Sequence, residues 1–174
     1  ILRLNPKYID AIINLGVVYK GEENLEKAIQ YYTLALKFQP NSSIVHYNLG
    51  NIYEGKEIID KSVYHYKKAI KYNPIYRKAH YNLGCVLDKV GQADEAMLSY
   101  KEALKYDSKK INAFYNLSRA QLATDDYKNG WKGFELRKEN TTKSLKQLGI
   151  SKEKIWDGGK FEGSLIVHAE QGLG

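Results

Sequence analysis

Four asparagines, Asn14, Asn48, Asn82 and Asn116, stand 34 residues apart along the chain. A carboxamide carries a donor and an acceptor on one planar group, so it can satisfy the N–H and C=O of an extended polypeptide together without reading its side chains. Four in register would form a ladder for a peptide backbone. The preceding residue is Ile13 in the first copy and a tyrosine in the others, Tyr47, Tyr81 and Tyr115. Such rings supply rigid, amphipathic contact area of the kind that dominates binding surfaces. Asn51, Lys78 and Arg119 fall at neighbouring slots of the same period and complete the candidate set. A second reading competes with the ladder, in which each asparagine only bonds a neighbouring helix backbone. The sequence leaves both open.

Other reactive residue types carry less. His46 and His80 stand one period apart, with no third histidine or carboxylate at ligand spacing, so they read as packing residues and no metal site is expected. The single cysteine, Cys85, excludes an internal disulfide and a cysteine-based zinc site, and it has no evident activating base. No catalytic triad and no cofactor motif suggests itself, so the chain is not expected to be an enzyme.

The elements that must position the asparagines repeat with them. Leu-Gly recurs at Leu15-Gly16, Leu49-Gly50 and Leu83-Gly84, then weakens to Leu117-Ser118, while Pro6, Pro40 and Pro74 keep the same spacing. Counting each repeat from Ile9, Ser43, Arg77 and Ile111, positions 4, 7, 8 and 11 fall three or four apart and form one helical stripe. Positions 20, 24, 27 and 28 form a second. Small residues at positions 8 and 20 must face the large ones at 7, 11 and 24 for two helices to approach closely. Turn-forming residues separate the stripes, and proline separates the repeats. The spacing predicts helices over 9–21 and 24–37, 43–55 and 58–71, 77–90 and 93–106, 111–123 and 127–139.

Leu-Gly, Tyr, Ala, an aromatic residue and Pro at these intervals resemble the tetratricopeptide repeat family. The resemblance implies an all-α, right-handed α-solenoid of helix-turn-helix repeats whose first helices line a concave groove, and hence a protein-interaction scaffold that holds an extended polypeptide there. A similar asparagine ladder lines the repeats of O-linked N-acetylglucosamine transferases, where it holds the substrate's backbone. Relatives that clamp the acidic C-terminal tails of heat-shock chaperones use Lys at position 5 and Asn at 9, then Asn at 6, then Lys at 2 and Arg at 6. This chain offers Ile13, Val17, Asn48, Lys78 and Asn82 there, so an acidic terminus is not the expected ligand.

The expected organisation is the end of a preceding repeat over 1–8, repeats over 9–42, 43–76 and 77–110, and a degenerate, capping fourth repeat over 111–140. A linker over 141–163 then leads to a truncated start of an α/β domain over 164–174, which could contain one strand. This tail resembles the junction in bacterial proteins that join such repeats to a glycosyltransferase-like domain. The matching residues are Gly130, Trp131, Glu135, Arg137, Trp156, Gly158 and Glu170 to Gly174. The alternative function is therefore the substrate-recruiting part of a glycosyltransferase whose catalytic domain is missing here.

The formal charge of +7 on 174 residues is compatible with acidic partners, but its lysines sit at the solvated spacing of second helices, so nucleic acid is disfavoured. No apolar run reaches membrane-spanning length, and a cytoplasmic location is expected. An uncovered helical face at the N-terminal end could support self-association.

Overall fold

The computed structural model describes residues 6–106 and 111–131, all within one compact unit, Ile1–Arg137. A second unit, Lys138–Gly174, lies outside the described residues, and with it the linker and the expected strand. The described part is an all-α solenoid of helical hairpins. α1 (Pro6–Gly21) pairs with α2 (Leu25–Phe38), α3 (Ser43–Gly55) with α4 (Ile59–Tyr72), and α5 (Arg77–Lys89) with α6 (Ala93–Lys105). α7 (Ile111–Ala123) packs on α6, and a further helical segment over 127–131 follows it. First helices also touch along the stack, α3 on α5 and α5 on α7. α3 and α7 match the boundaries predicted from spacing. α1 opens three residues early, at Pro6, because the fixed φ of proline suits a first helical turn, where the missing N–H is not needed.

Each hairpin closes around a glycine set against a tyrosine ring. A Cβ placed on Gly16, Gly50 or Gly84 would lie only 2.5–2.6 Å from a ring carbon of Tyr32, Tyr66 or Tyr100 respectively. All three tyrosines have no exposed surface. The small partners at position 20, Ala28, Ser62 and Ala96, are equally buried, and Ser62 Oγ donates to Gly50 O at 3.1 Å. Each such aromatic ring contributes on the order of 2–3 kcal/mol through burial. The sequence expectation that small faces large therefore holds for position 8 against position 24, whereas position 7 turns to the neighbouring repeat.

A second stripe, positions 3, 7 and 10 of the first helix, faces the preceding repeat. It is buried in α3 (Val45, Leu49, Ile52), in α5 (Ala79, Leu83, Val86) and in α7 (Ala113, Leu117, Ala120). The equivalent residues of α1 are exposed, Leu15 at 42% and Val18 at 53%. Burial at this stripe is thus a property of stacking and not of the hairpin, as expected where each repeat rests on its neighbours.

The turn inside each hairpin has one geometry. Position 15 adopts a left-handed backbone at Glu23 (φ 59°), Glu57 (57°), Gly91 (78°) and Asp125 (62°). The next N–H reaches back five residues, Asn24 to Tyr19 O at 2.9 Å, Ile58 to Tyr53 O at 2.8 Å, Gln92 to Leu87 O at 2.9 Å, and Asp126 to Gln121 O at 2.8 Å. This capping pattern satisfies the last carbonyls of the first helix. Only Gly91 occupies it with a residue that has no Cβ penalty.

Candidate functional site

The ladder asparagines stand on α1, α3, α5 and α7, where the 34-residue period places them on one row of first helices. Asn14 is exposed; Asn48, Asn82 and Asn116 are half-buried. The three half-buried ones are joined to the repeat before them by side chains. Asn82 Nδ2 donates to Asn51 Oδ1 at 2.9 Å and lies 3.4 Å from the hydroxyls of Tyr47 and Tyr66. One repeat on, Asn116 Nδ2 lies 3.4 Å from the Tyr81 hydroxyl and 3.6 Å from Cys85 Sγ. Asn48 differs, accepting a bond from Lys20 Nζ at 3.4 Å. The asparagines therefore bind helices together through neighbouring side chains, not through the backbone that the competing reading named. In Asn82 and Asn116 this uses the N–H groups. The Oδ1 oxygens of Asn82 and Asn116 make no bond among the described residues.

Asn51 is the centre of the middle network. The buried Tyr66 hydroxyl donates to Asn51 Oδ1 at 2.7 Å and also contacts the Glu54 carboxylate. Burial pushes the Tyr66 phenol well above its ordinary range, and the Glu54 contact adds to the shift. At the flanking seams the equivalents of Asn51 are Val17 and Cys85, and neither accepts a hydrogen bond from the buried tyrosine hydroxyl as Asn51 does. The hydroxyls of Tyr32 and Tyr100 are accordingly buried without a hydrogen-bond partner. Burial raises the Tyr32 phenol to about 12.

The tyrosine slots form aromatic pairs. Tyr47 packs against Tyr76 at 5.0 Å between ring centres and against Tyr66 at 6.0 Å; Tyr81 packs against Tyr100 at 6.0 Å. Burial raises the phenols of Tyr76 and Tyr81 to about 12, so these two stay neutral donors at physiological pH. Tyr115 is half-buried beside Asn116 in the sequence. Lys78 is exposed, and Arg119 is ion-paired with Asp88. A cleft of about 400 Å³ between α4 and α6, lined in part by Val63, Lys67 and Glu95, includes none of these residues.

His46 and His80 are buried, as packing slots should be, and each also holds the chain. His46 Nε2 donates to Pro40 O at 3.1 Å, and His80 Nε2 to Pro74 O at 2.8 Å. Both bonds tie a first helix to the turn that enters it. Sequence reading missed this role and missed His65, whose Nδ1 lies 3.0 Å from His46 Nδ1. The histidine-plus-proline spacing of six residues was the available signal for the carbonyl bond. Among the described residues, no group of three or more His, Cys, Asp or Glu could hold a metal ion. No described helix is long and apolar enough to cross a membrane. Of the residues matching a glycosyltransferase junction, Gly130 and Trp131 are described, the first buried against Leu122 and the second exposed; the rest lie outside the described residues.

Residues 9–42, 44–76 and 77–110 each match a family model described as Tetratricopeptide repeat, together well over half the chain. No curated protein matches the sequence. Among solved structures, a crystal structure of MamA is similar at a TM-score of 0.70 and 23% identity, over 82% of this chain and 83% of that one. MamA from Desulfovibrio magneticus RS-1, residue 41 to its end, is similar at 0.67 and 18% identity, over 75% and 74% of the two chains. The first repeat domain of Spaghetti (RPAP3), solved with the HSP90 peptide SRMEEVD, is similar at 0.66 and 18% identity, over 71% and 98%. At these identities the likenesses establish the stacked-hairpin fold.

Proposed function

Since the chain belongs to the tetratricopeptide repeat family, we propose that it is a binding module that holds an extended polypeptide along its row of first helices. Asn48, Asn82 and Asn116 face the ligand backbone in this reading, Tyr47, Tyr81 and Tyr115 supply apolar contact, and Asn14, Asn51, Lys78 and Arg119 flank them. The observation that carries it is the split use of the carboxamides. The donor side of Asn82 and Asn116 is anchored between repeats, which fixes the rotamer, while the acceptor side is left to meet a peptide N–H. The Spaghetti (RPAP3) domain shows that a stack of this fold accommodates a peptide. Its acidic peptide is not the expected ligand here, because Ile13 and Val17 stand where a carboxylate-binding Lys and Asn would be needed.

The test is a library of labelled ten-residue peptides of neutral composition, bound to the full chain and to variants. Asn116→Ala and Asn116→Asp separate the roles: the aspartate keeps acceptor oxygens and loses the anchoring donor. Binding lost in both, with unchanged helical circular dichroism, supports a pre-organised ladder; unchanged binding in both would remove the ladder from the site.

A further inference from the structure

We propose that His46 and His65 form a shared-proton pair that latches the second hairpin shut at neutral pH and releases it on acidification. The two Nδ1 atoms lie 3.0 Å apart and the ring centres 5.3 Å apart. That centre-to-centre distance is the nitrogen contact plus two ring radii, so the nitrogens meet head-on. The Pro40 carbonyl can only accept, which places a proton on His46 Nε2 and leaves its Nδ1 lone pair toward His65. His65 then donates from Nδ1. One proton lies between the rings. A metal ion does not fit the same line, since two head-on nitrogen ligands would stand roughly 4 Å apart.

A second proton at the contact would set N–H against N–H, and a proton on His65 Nε2, the remaining ring nitrogen, would place a cation in the half-buried pair. The charged groups acting on the pair are Lys61 and Lys68 of α4, both repelling added charge. The remaining polar or aromatic neighbours are the rings of Tyr53 from α3 and of Tyr64 and Tyr72 from α4, together with the Pro40 carbonyl from the turn after α2. No charged group of α2 or α5 is among those that shift the pair. Burial, reinforced by the His46 and Lys61 charges, pushes His65 down to about 4, and burial also lowers His46. The sign follows from linkage. With folded values below the ordinary 6.5, the stabilisation is complete above about pH 6.5 and is lost as pH falls toward about 4, because the unfolded chain takes up protons first.

The next repeat contains the control. His80 occupies the same slot and makes the same bond to a proline carbonyl, but Ser99 stands where His65 does and bonds to Glu95 O at 3.0 Å. The latch therefore belongs to one hairpin, the one whose α3 carries Tyr47, Asn48 and Asn51. On the groove reading above, acid would also loosen the ligand.

The experiment is a thermal unfolding series on the full chain from about pH 7.5 to about pH 5, with His65→Ser and, as control, His80→Phe. The wild type and His80→Phe are expected to lose several degrees over this range, and His65→Ser less than half as much. A His65→Ser series with the wild-type pH dependence would overturn the latch. Proton NMR titration of the wild-type rings gives a readout free of mutation and of any ligand: His46 and His65 are both expected to titrate below the ordinary 6.5, and either of them titrating at that ordinary value would overturn it.

Discussion

Replacing Gly50 by alanine sets two known effects against each other inside one hairpin. Alanine is the better helix former by about 0.8–1 kcal/mol, which alone would stabilise α3. The added Cβ, however, would meet Tyr66 ring carbons at 2.5, 2.6 and 3.1 Å. That ring has no exposed surface, and its hydroxyl is fixed on Asn51 and Glu54 beneath Asn82. It cannot move without repacking the seam. Overpacking costs about 1–3 kcal/mol, and loosening the hydroxyl network adds about 1 kcal/mol for each bond broken. The clash should win, with a net loss of about 2 kcal/mol. Urea unfolding followed by circular dichroism would register this as a midpoint lower by roughly 1 M, given the urea sensitivity of proteins of this size. Trimming the ring with Tyr66→Leu in the same chain should recover part of the loss, so the double mutant is expected to cost at least about 1 kcal/mol less than the sum of the singles. Wild-type or higher stability for Gly50→Ala would refute the reasoning, because propensity would then outweigh the contact.

Cys85→Asn should rebuild at the third repeat the bridge that Asn51 makes in the second, giving the buried Tyr100 hydroxyl an acceptor; a gain of about 1 kcal/mol, or roughly 2–4 °C in melting temperature, is expected by calorimetry, and a loss would show that the seams differ in more than this residue. Glu23→Gly relieves a left-handed residue with a side chain and should raise stability by about 0.5–1 kcal/mol in urea titrations. Leu49→Ala and Leu15→Ala test one slot in two settings, with about 2–4 kcal/mol lost at the buried position and under about 1 kcal/mol at the exposed one, read from the same denaturation curves.

The fold was legible because its information is periodic. Gly50 and Tyr66 announce their contact by recurring as Gly16 with Tyr32 and Gly84 with Tyr100, and seven of the helices follow from that spacing within three residues. The position of the asparagine row was legible for the same reason. What Asn82 and Asn116 touch was not, since a bond from position 6 to position 9 of the preceding repeat is written in neither residue alone. The His46–His65 pair escaped for a sharper reason. It occurs once, so no period marks it, and His46 read as a packing residue whose only counterpart at the repeat spacing was His80. The left-handed turn was hidden because glutamate and aspartate fill three of its four places, and only Gly91 carries the usual signal.

Leu15 and Val18, bare on α1 while their counterparts farther along are covered, give the stack a direction of failure. Among the described residues, hairpin one is gripped from a single side, whereas the α3–α4 and α5–α6 hairpins are gripped from two. Thermal fluctuation should therefore open the first hairpin before the next two, with amide protons of α1 exchanging sooner than those of α3 through α5. The stack would come apart in sequence, like coins lifted from a column, and Asn14 on α1 would lose its alignment before Asn48 and Asn82 on α3 and α5.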